Sequence, residues 1–100
     1  MTYDPIDENL IDTISQTFKA LSDPTRIKIL HLLYHQECSV SEIANLLEMN
    51  QSTISHQLKY LKQMRLVKNR RDKTKYFYSP DDHHVMNLLK QTIEHAKHTR

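Results

Sequence analysis

Residues 39–62 read SVSEIANLLEMNQSTISHQLKYLK: two stretches of helical spacing separated by a polar turn. In the first, Ser39 stands three residues before Glu42, the pattern of a capping box, and Ile43, Ala44, Leu46 and Leu47 carry a short helix to Glu48. MNQST is the turn, and Asn50 can cap a second helix from Gln51 to about Met64. At about 100° per residue, Ile54, Leu58 and Leu61 share one face of that helix. Ser52, Ser55, His56, Lys59 and Gln63 share the opposite one. Two helices joined by so short a turn make a helix-turn-helix. The polar face carries groups that both donate and accept hydrogen bonds, which suits base edges and phosphates in a major groove.

Outward from this core the pattern stays helical toward the N-terminus. Ile6, Leu10, Ile11, Ile14, Phe18 and Leu21 recur as an amphipathic helix. SDPTR ends it: Asp23 caps the next helix and Pro24 takes its first position. Ile27, Ile29, Leu30, Leu32 and Leu33 make that helix apolar over much of its surface, so it is central; His31 and His35 are expected at the core edge. ECSVSE breaks it. Toward the C-terminus, Leu66-Val67 and YFY (76–78) are strand-like and flank the charged RRDKT, which predicts a β-hairpin with a longer basic loop. With no glycine and no Asn-Gly pair, a tight two-residue turn is not expected. Pro80 closes the hairpin, and Asp81 or Asp82 caps a last helix to about His98. The expected order is α-α-α-α-β-β-α in a single domain over residues 1–100: mainly α, with a β-hairpin wing.

Charge agrees with a polyanion partner. Residues 1–58 carry three basic and eight acidic groups, whereas residues 59–75 carry eight basic and one acidic. A concentrated basic block on a chain of net charge +2 is the footprint of nucleic-acid binding. Arg70, Arg71, Lys73 and Lys75 sit where a wing would reach phosphates or a minor groove, adding affinity more than sequence choice. The absence of glycine excludes phosphate loops and dinucleotide fingerprints. A lone Cys38 excludes a disulfide framework within the chain. The acidic start MTYDPIDENL does not read as a signal peptide and no run is long enough to span a membrane, so the cytoplasm is the expected location. One hundred residues are few for a self-sufficient core, and dimerisation is a common remedy.

FKALSDPTRIKILHLL followed by SVSEIANLLEMNQSTISHQLKYLKQMRLVK resembles the ArsR/SmtB family of winged-helix metal-sensing repressors, over nearly the whole chain from about residue 10. The resemblance implies a homodimer, with its first and last helices at the interface, that binds operator DNA without metal and releases it when metal binds. It implies Gln51, Ser52, Ser55 and His56 as DNA-reading residues, joined by Lys59, with Val40 contributing from the preceding helix. It also offers several metal-site locations. Ser39 and Ser41 stand where one of them needs cysteines, and residues 1–30 hold no Cys or His for another. The pattern on the last helix is met by Asp82, His84, His95 and His98, which resembles the zinc- and cobalt-sensing, CzrA-like branch.

Helical geometry supports an assembly of these donors between chains. His84 and His95 are eleven residues apart, about 20° beyond three turns, so they share a face but lie roughly 16 Å apart along the axis. Ligands of one zinc ion must each lie about 2 Å from it, so one helix cannot close the site. Two antiparallel copies can. Pairing His84 with a second His95 centres the dyad between Leu89 and Lys90, and pairing Asp82 with a second His98 centres it on Lys90. Asp82 must then sit at or before the first turn. Val85, Leu88, Leu89, Thr92 and Ala96 form a neighbouring stripe that can bury against the partner, and His83 projects away from it. Three imidazoles and a carboxylate favour tetrahedral Zn(II) or Co(II) over thiophilic ions, with two sites per dimer by symmetry. A ring N–H of His95 reaching a backbone carbonyl near Arg65 would couple the site to the DNA-reading helix. The rival readings are a DNA binder whose histidines only brace the dimer, and a zinc hydrolase. Four ligands would close the open position that hydrolysis needs, so no enzyme is expected.

Overall fold

Side-chain caps start all five helices. The computed structural model describes residues 2–100. Asp7 accepts the amides of Asn9 and Leu10 to open α1 (Glu8–Ala20). Asp23 accepts the amide of Arg26 to open α2 (Pro24–His35), with Pro24 at its first position, as expected. After β1 (Cys38–Ser39), the Ser39–Glu42 capping box opens α3 (Val40–Leu47): Glu42 N–H donates to Ser39 Oγ at 3.3 Å and Ser39 N–H to Glu42 Oε1 at 2.9 Å. Asn50 caps α4 (Gln51–Gln63) and Asp82 caps α5 (His83–Thr99). Between these last two run β2 (Val67–Asp72) and β3 (Lys75–Pro80).

The three strands form one antiparallel sheet in the order β1-β3-β2. The short β1 is a departure from the expected order. Cys38 pairs with Tyr78 and Ser39 with Phe77, so two residues are extended because β3 offers them an edge. No periodicity can announce a strand that short. The hairpin is the second departure. Asp72 pairs with Lys75, leaving a two-residue turn at Lys73-Thr74 instead of a long loop, with Arg70 and Arg71 inside the strand. Lys73 adopts φ +60° where glycine would be expected, and Arg71 Nε donates to its carbonyl at 2.8 Å.

The core gathers Ile29 and Leu30 of α2, Ile43 of α3, and Ile54, Leu58 and Leu61 of α4, all fully buried. Val67, Met86 and Leu89 close it from the hairpin and α5. Arg26 fastens α1 and α2 to α4: its Nε donates to the Ala20 carbonyl at 2.8 Å and its guanidinium lies 4.4 Å over the Tyr60 ring. His31 and His35 are exposed, not at the core edge, because α2 buries Ile29, Leu30 and Leu33 and turns both imidazoles outward. The apolar row of α1 is left open: Leu10, Ile11, Ile14 and Phe18, with Ile6 just before the Asp7 cap and so outside the helix, are 37 to 55 % exposed.

Candidate nucleic-acid interface and metal donors

The fully buried side of α4 sets the opposite side outward. Ser52, Ser55, His56 and Lys59 are all exposed on it, and Gln51 is exposed at the first turn beside Ser41. Ser52 is partly engaged, since its hydroxyl donates to Asn50 Oδ1 at 2.9 Å, the same oxygen that caps the Thr53 amide at 2.8 Å. Val40, half-buried at the start of α3, borders a groove with Ser41 and Gln51 on one side and Thr74, Lys75 and Tyr76 of the hairpin on the other. The hairpin tip therefore stands beside the first turn of α4, and the groove between them is lined by one cation and several hydroxyls. Tyr76 and Thr74 were not singled out from sequence. An exposed aromatic beside a basic run was the available signal, but only the β1-β3 pairing places it opposite Gln51.

The four cations expected to reach DNA from the hairpin are not equivalent. Lys73 and Lys75 are exposed, and Arg71 lies 5.9 Å over Tyr76. Arg70 is already engaged: Nη2 and Nε meet the two carboxylate oxygens of Glu37 at 2.6 and 2.9 Å, with the guanidinium 5.1 Å over Phe77. The Arg70 hydrogen bond holds the Glu37 carboxyl below the usual carboxylate range. Sequence could not pair residues 33 positions apart.

The four expected metal donors lie along α5 and at its cap. Asp82 is its N-cap, as the geometry required, and its Oδ1 accepts the His84 amide at 2.9 Å. That amide holds the Asp82 carboxyl below its ordinary range. His84 Nδ1 lies 3.5 Å from the same oxygen, so these two donors come together. His95 and His98 are exposed at the far end of the same unbroken helix. Among the described residues no three His, Cys, Asp or Glu side chains of one chain gather closely enough to hold a metal ion. The donor set fits a borderline ion by its chemistry, three imidazoles and an ionised carboxylate, provided two copies contribute. In the stripe beside it, Leu89 is already buried in its own chain, while Val85 and Leu88 are half-buried and Thr92 and Ala96 exposed. His83 lines a groove with Tyr34, Lys68, Asp81 and the donor Asp82. One hydrogen bond joins the start of α5 to the end of α4: the Asp81 amide donates to the Leu66 carbonyl at 3.1 Å, and the Leu66 amide to Leu61 at 2.9 Å.

The sequence and the fold are similar to those of known proteins. The model of the bacterial regulatory protein, arsR family, matches residues 23–69. The chain is 38 % identical over 84 residues to the transcriptional repressor SmtB homolog of Synechocystis sp., covering 84 % of this chain but only 64 % of that protein. It is 38 % identical over 85 residues to the cadmium resistance transcriptional regulatory protein CadC homolog of Staphylococcus aureus, covering 84 % of this chain and 70 % of that one. Its fold superposes with a TM-score of 0.85 on the homodimeric winged helix-turn-helix DNA-binding domain of Mb0332 from Mycobacterium bovis, described as a possible ArsR-family transcriptional regulator. That pair is 32 % identical, covering 96 % of this chain and 91 % of the other.

Proposed function

The chain belongs to the ArsR family of bacterial regulatory proteins, and from that premise we propose that it is a homodimeric, cytoplasmic transcriptional repressor which holds operator DNA without metal and releases it when Zn(II) or Co(II) is bound. Asp82 and His84 of one protomer, with the partner's His95 and His98, supply each of two equivalent sites. Gln51, Ser52, Ser55 and His56 face the bases, helped by Val40 and Lys59, while Arg71, Lys73 and Lys75 of the hairpin face phosphates. The observation that carries the reading is the placement of the donors: two at each end of one continuous helix, symmetric about Leu89-Lys90, on a chain that cannot close a site by itself.

The donor set also argues for the metal. A relative is named for cadmium resistance, but the four donors here include no thiolate, and Cys38 is buried in the core. Imidazole and carboxylate suit zinc and cobalt better than softer ions. Release of DNA requires that the metal prefer one dimer arrangement over the other. The Asp81–Leu66 hydrogen bond gives a direct path for that preference, since Asp81 adjoins a donor and Leu66 follows the DNA-facing helix. A bond from His95 toward the Arg65 carbonyl would act on the same junction.

The test is fluorescence anisotropy on a duplex selected from a random library by the metal-free protein, measured with and without one zinc equivalent per protomer. Zinc should weaken binding about tenfold to a hundredfold, a coupling of about 1–3 kcal/mol. Equal or tighter binding with zinc overturns the reading.

A further inference from the structure

The surfaces described so far leave out the last turn of α2. We propose that His31 and His35 form a second metal site, a two-imidazole clamp contained within one chain, for a borderline divalent ion: Cu(II) first, with Ni(II) or Zn(II) behind it. Residues 31–35 read HLLYH, so the two rings stand one helical turn apart on one face, the spacing by which helical His pairs chelate zinc. Their centroids are 4.8 Å apart. Two imidazoles bound through nitrogens about 2.0–2.1 Å from one ion have centroids about 4.5–5.2 Å apart, for angles from square-planar to tetrahedral. The observed spacing lies inside that window.

Hydrogen bonding prepares one of the rings. His35 Nδ1 lies 2.9 Å from the His31 carbonyl oxygen. A carbonyl only accepts, so Nδ1 carries the hydrogen and a neutral ring keeps its lone pair on Nε2. An N–H given to a carbonyl is how ligand imidazoles are commonly oriented. The rings stand edge-on at 76°, so closing the clamp requires the exposed His31 to turn a nitrogen toward Nε2 of His35. Lys28 shares the groove of both rings, while Glu94 with Lys90 and Lys97 borders the other side of His31. Three cations against one carboxylate leave a field that disfavours a divalent ion, so affinity must come from chelation alone. No third donor gathers among the described residues, so water completes the coordination and the order of imidazole affinities selects copper. Unlike the donors of α5, this pair needs no second copy.

The test uses the full chain carrying His84→Ala and His95→Ala, so that the outcome does not depend on whether α5 binds metal. Cu(II) is titrated and paramagnetic broadening of backbone amides is followed by NMR. The amides of residues 28–36 should broaden first, saturating at one ion per chain. Adding either His31→Ala or His35→Ala should weaken binding about a hundredfold, the advantage of two tethered donors over one. Both positions are exposed, and circular dichroism checks that the helices persist. Broadening centred elsewhere, or unchanged when both histidines are removed, overturns the proposal.

Discussion

Arg70 belongs to the basic run of the wing, yet its Nε–Nη2 edge, the one that forks onto an anion, is taken by Glu37. The Glu37 carboxyl is depressed below its ordinary range, so the ion pair is complete above that range and is lost only as pH falls through the lower folded value. Near neutral pH Arg70 is therefore occupied. Arg70→Ala should leave the salt dependence of DNA binding nearly unchanged, whereas Lys73→Ala or Lys75→Ala, each removing two cations per dimer, should flatten the slope by about 1.8. Glu37→Gln should steepen it by a similar amount. Salt titrations of the four variants check this, and equal slopes for Arg70→Ala and Lys75→Ala would place both side chains on phosphate. Titration at the metal donors sorts in the same way. The Asp82 carboxyl is also held low, by the His84 amide, so it stays ionised through mild acid. Loss of zinc affinity in mild acid then belongs to protons competing for imidazoles. An affinity flat from about pH 7.5 to 5.5 would argue against histidine ligands.

At the scale of elements, α4 divides its work between two faces. Leu58 is fully buried beneath the exposed Ser55 and His56. Leu58→Ala should cost about 2–5 kcal/mol by transfer and cavity terms, read from urea unfolding. Ser55→Ala and His56→Ala should leave stability and zinc affinity nearly intact while lowering specific DNA affinity. A loss confined to non-specific DNA would remove these residues from base reading. For α5 the decisive experiment is complementation. Asp82→Ala with His84→Ala removes one half of each site, and His95→Ala with His98→Ala removes the other. Each homodimer should bind zinc poorly. After subunit exchange, a heterodimer keeps one complete site and should regain tight binding of one ion. With exchange verified, a mixture no better than its parents would refute sites built between chains. The helices themselves were readable in advance because period, cap and proline act within a few residues of one another. β1 and the tight hairpin turn were not, since one depends on an edge supplied by β3 and the other on a left-handed lysine.

The whole molecule is unfinished as a single copy. Its radius of gyration is 15.4 Å, against about 13 Å for a compact chain of this length, and its longest extent is 57 Å. The apolar row of α1 lies open along one side. Leu10→Glu with Phe18→Glu should yield a monomer by sedimentation that retains its helices and loses both zinc and DNA binding. A dimer surviving that change would move the interface elsewhere. Local sequence alone determined the five helices, the helix-turn-helix, the concentration of basic charge, and the spacing of donors along α5, because each is written in neighbours one to four residues apart or in the fixed pitch of a helix. The tertiary structure decided what long-range contact alone can decide. It paired Glu37 with Arg70, set Tyr76 and Lys75 across a groove from Gln51, bonded Asp81 to Leu66, and turned His31 and His35 out of the core. Those contacts join residues that the chain brings together only after its elements pack, and no local pattern encodes which partners they will meet.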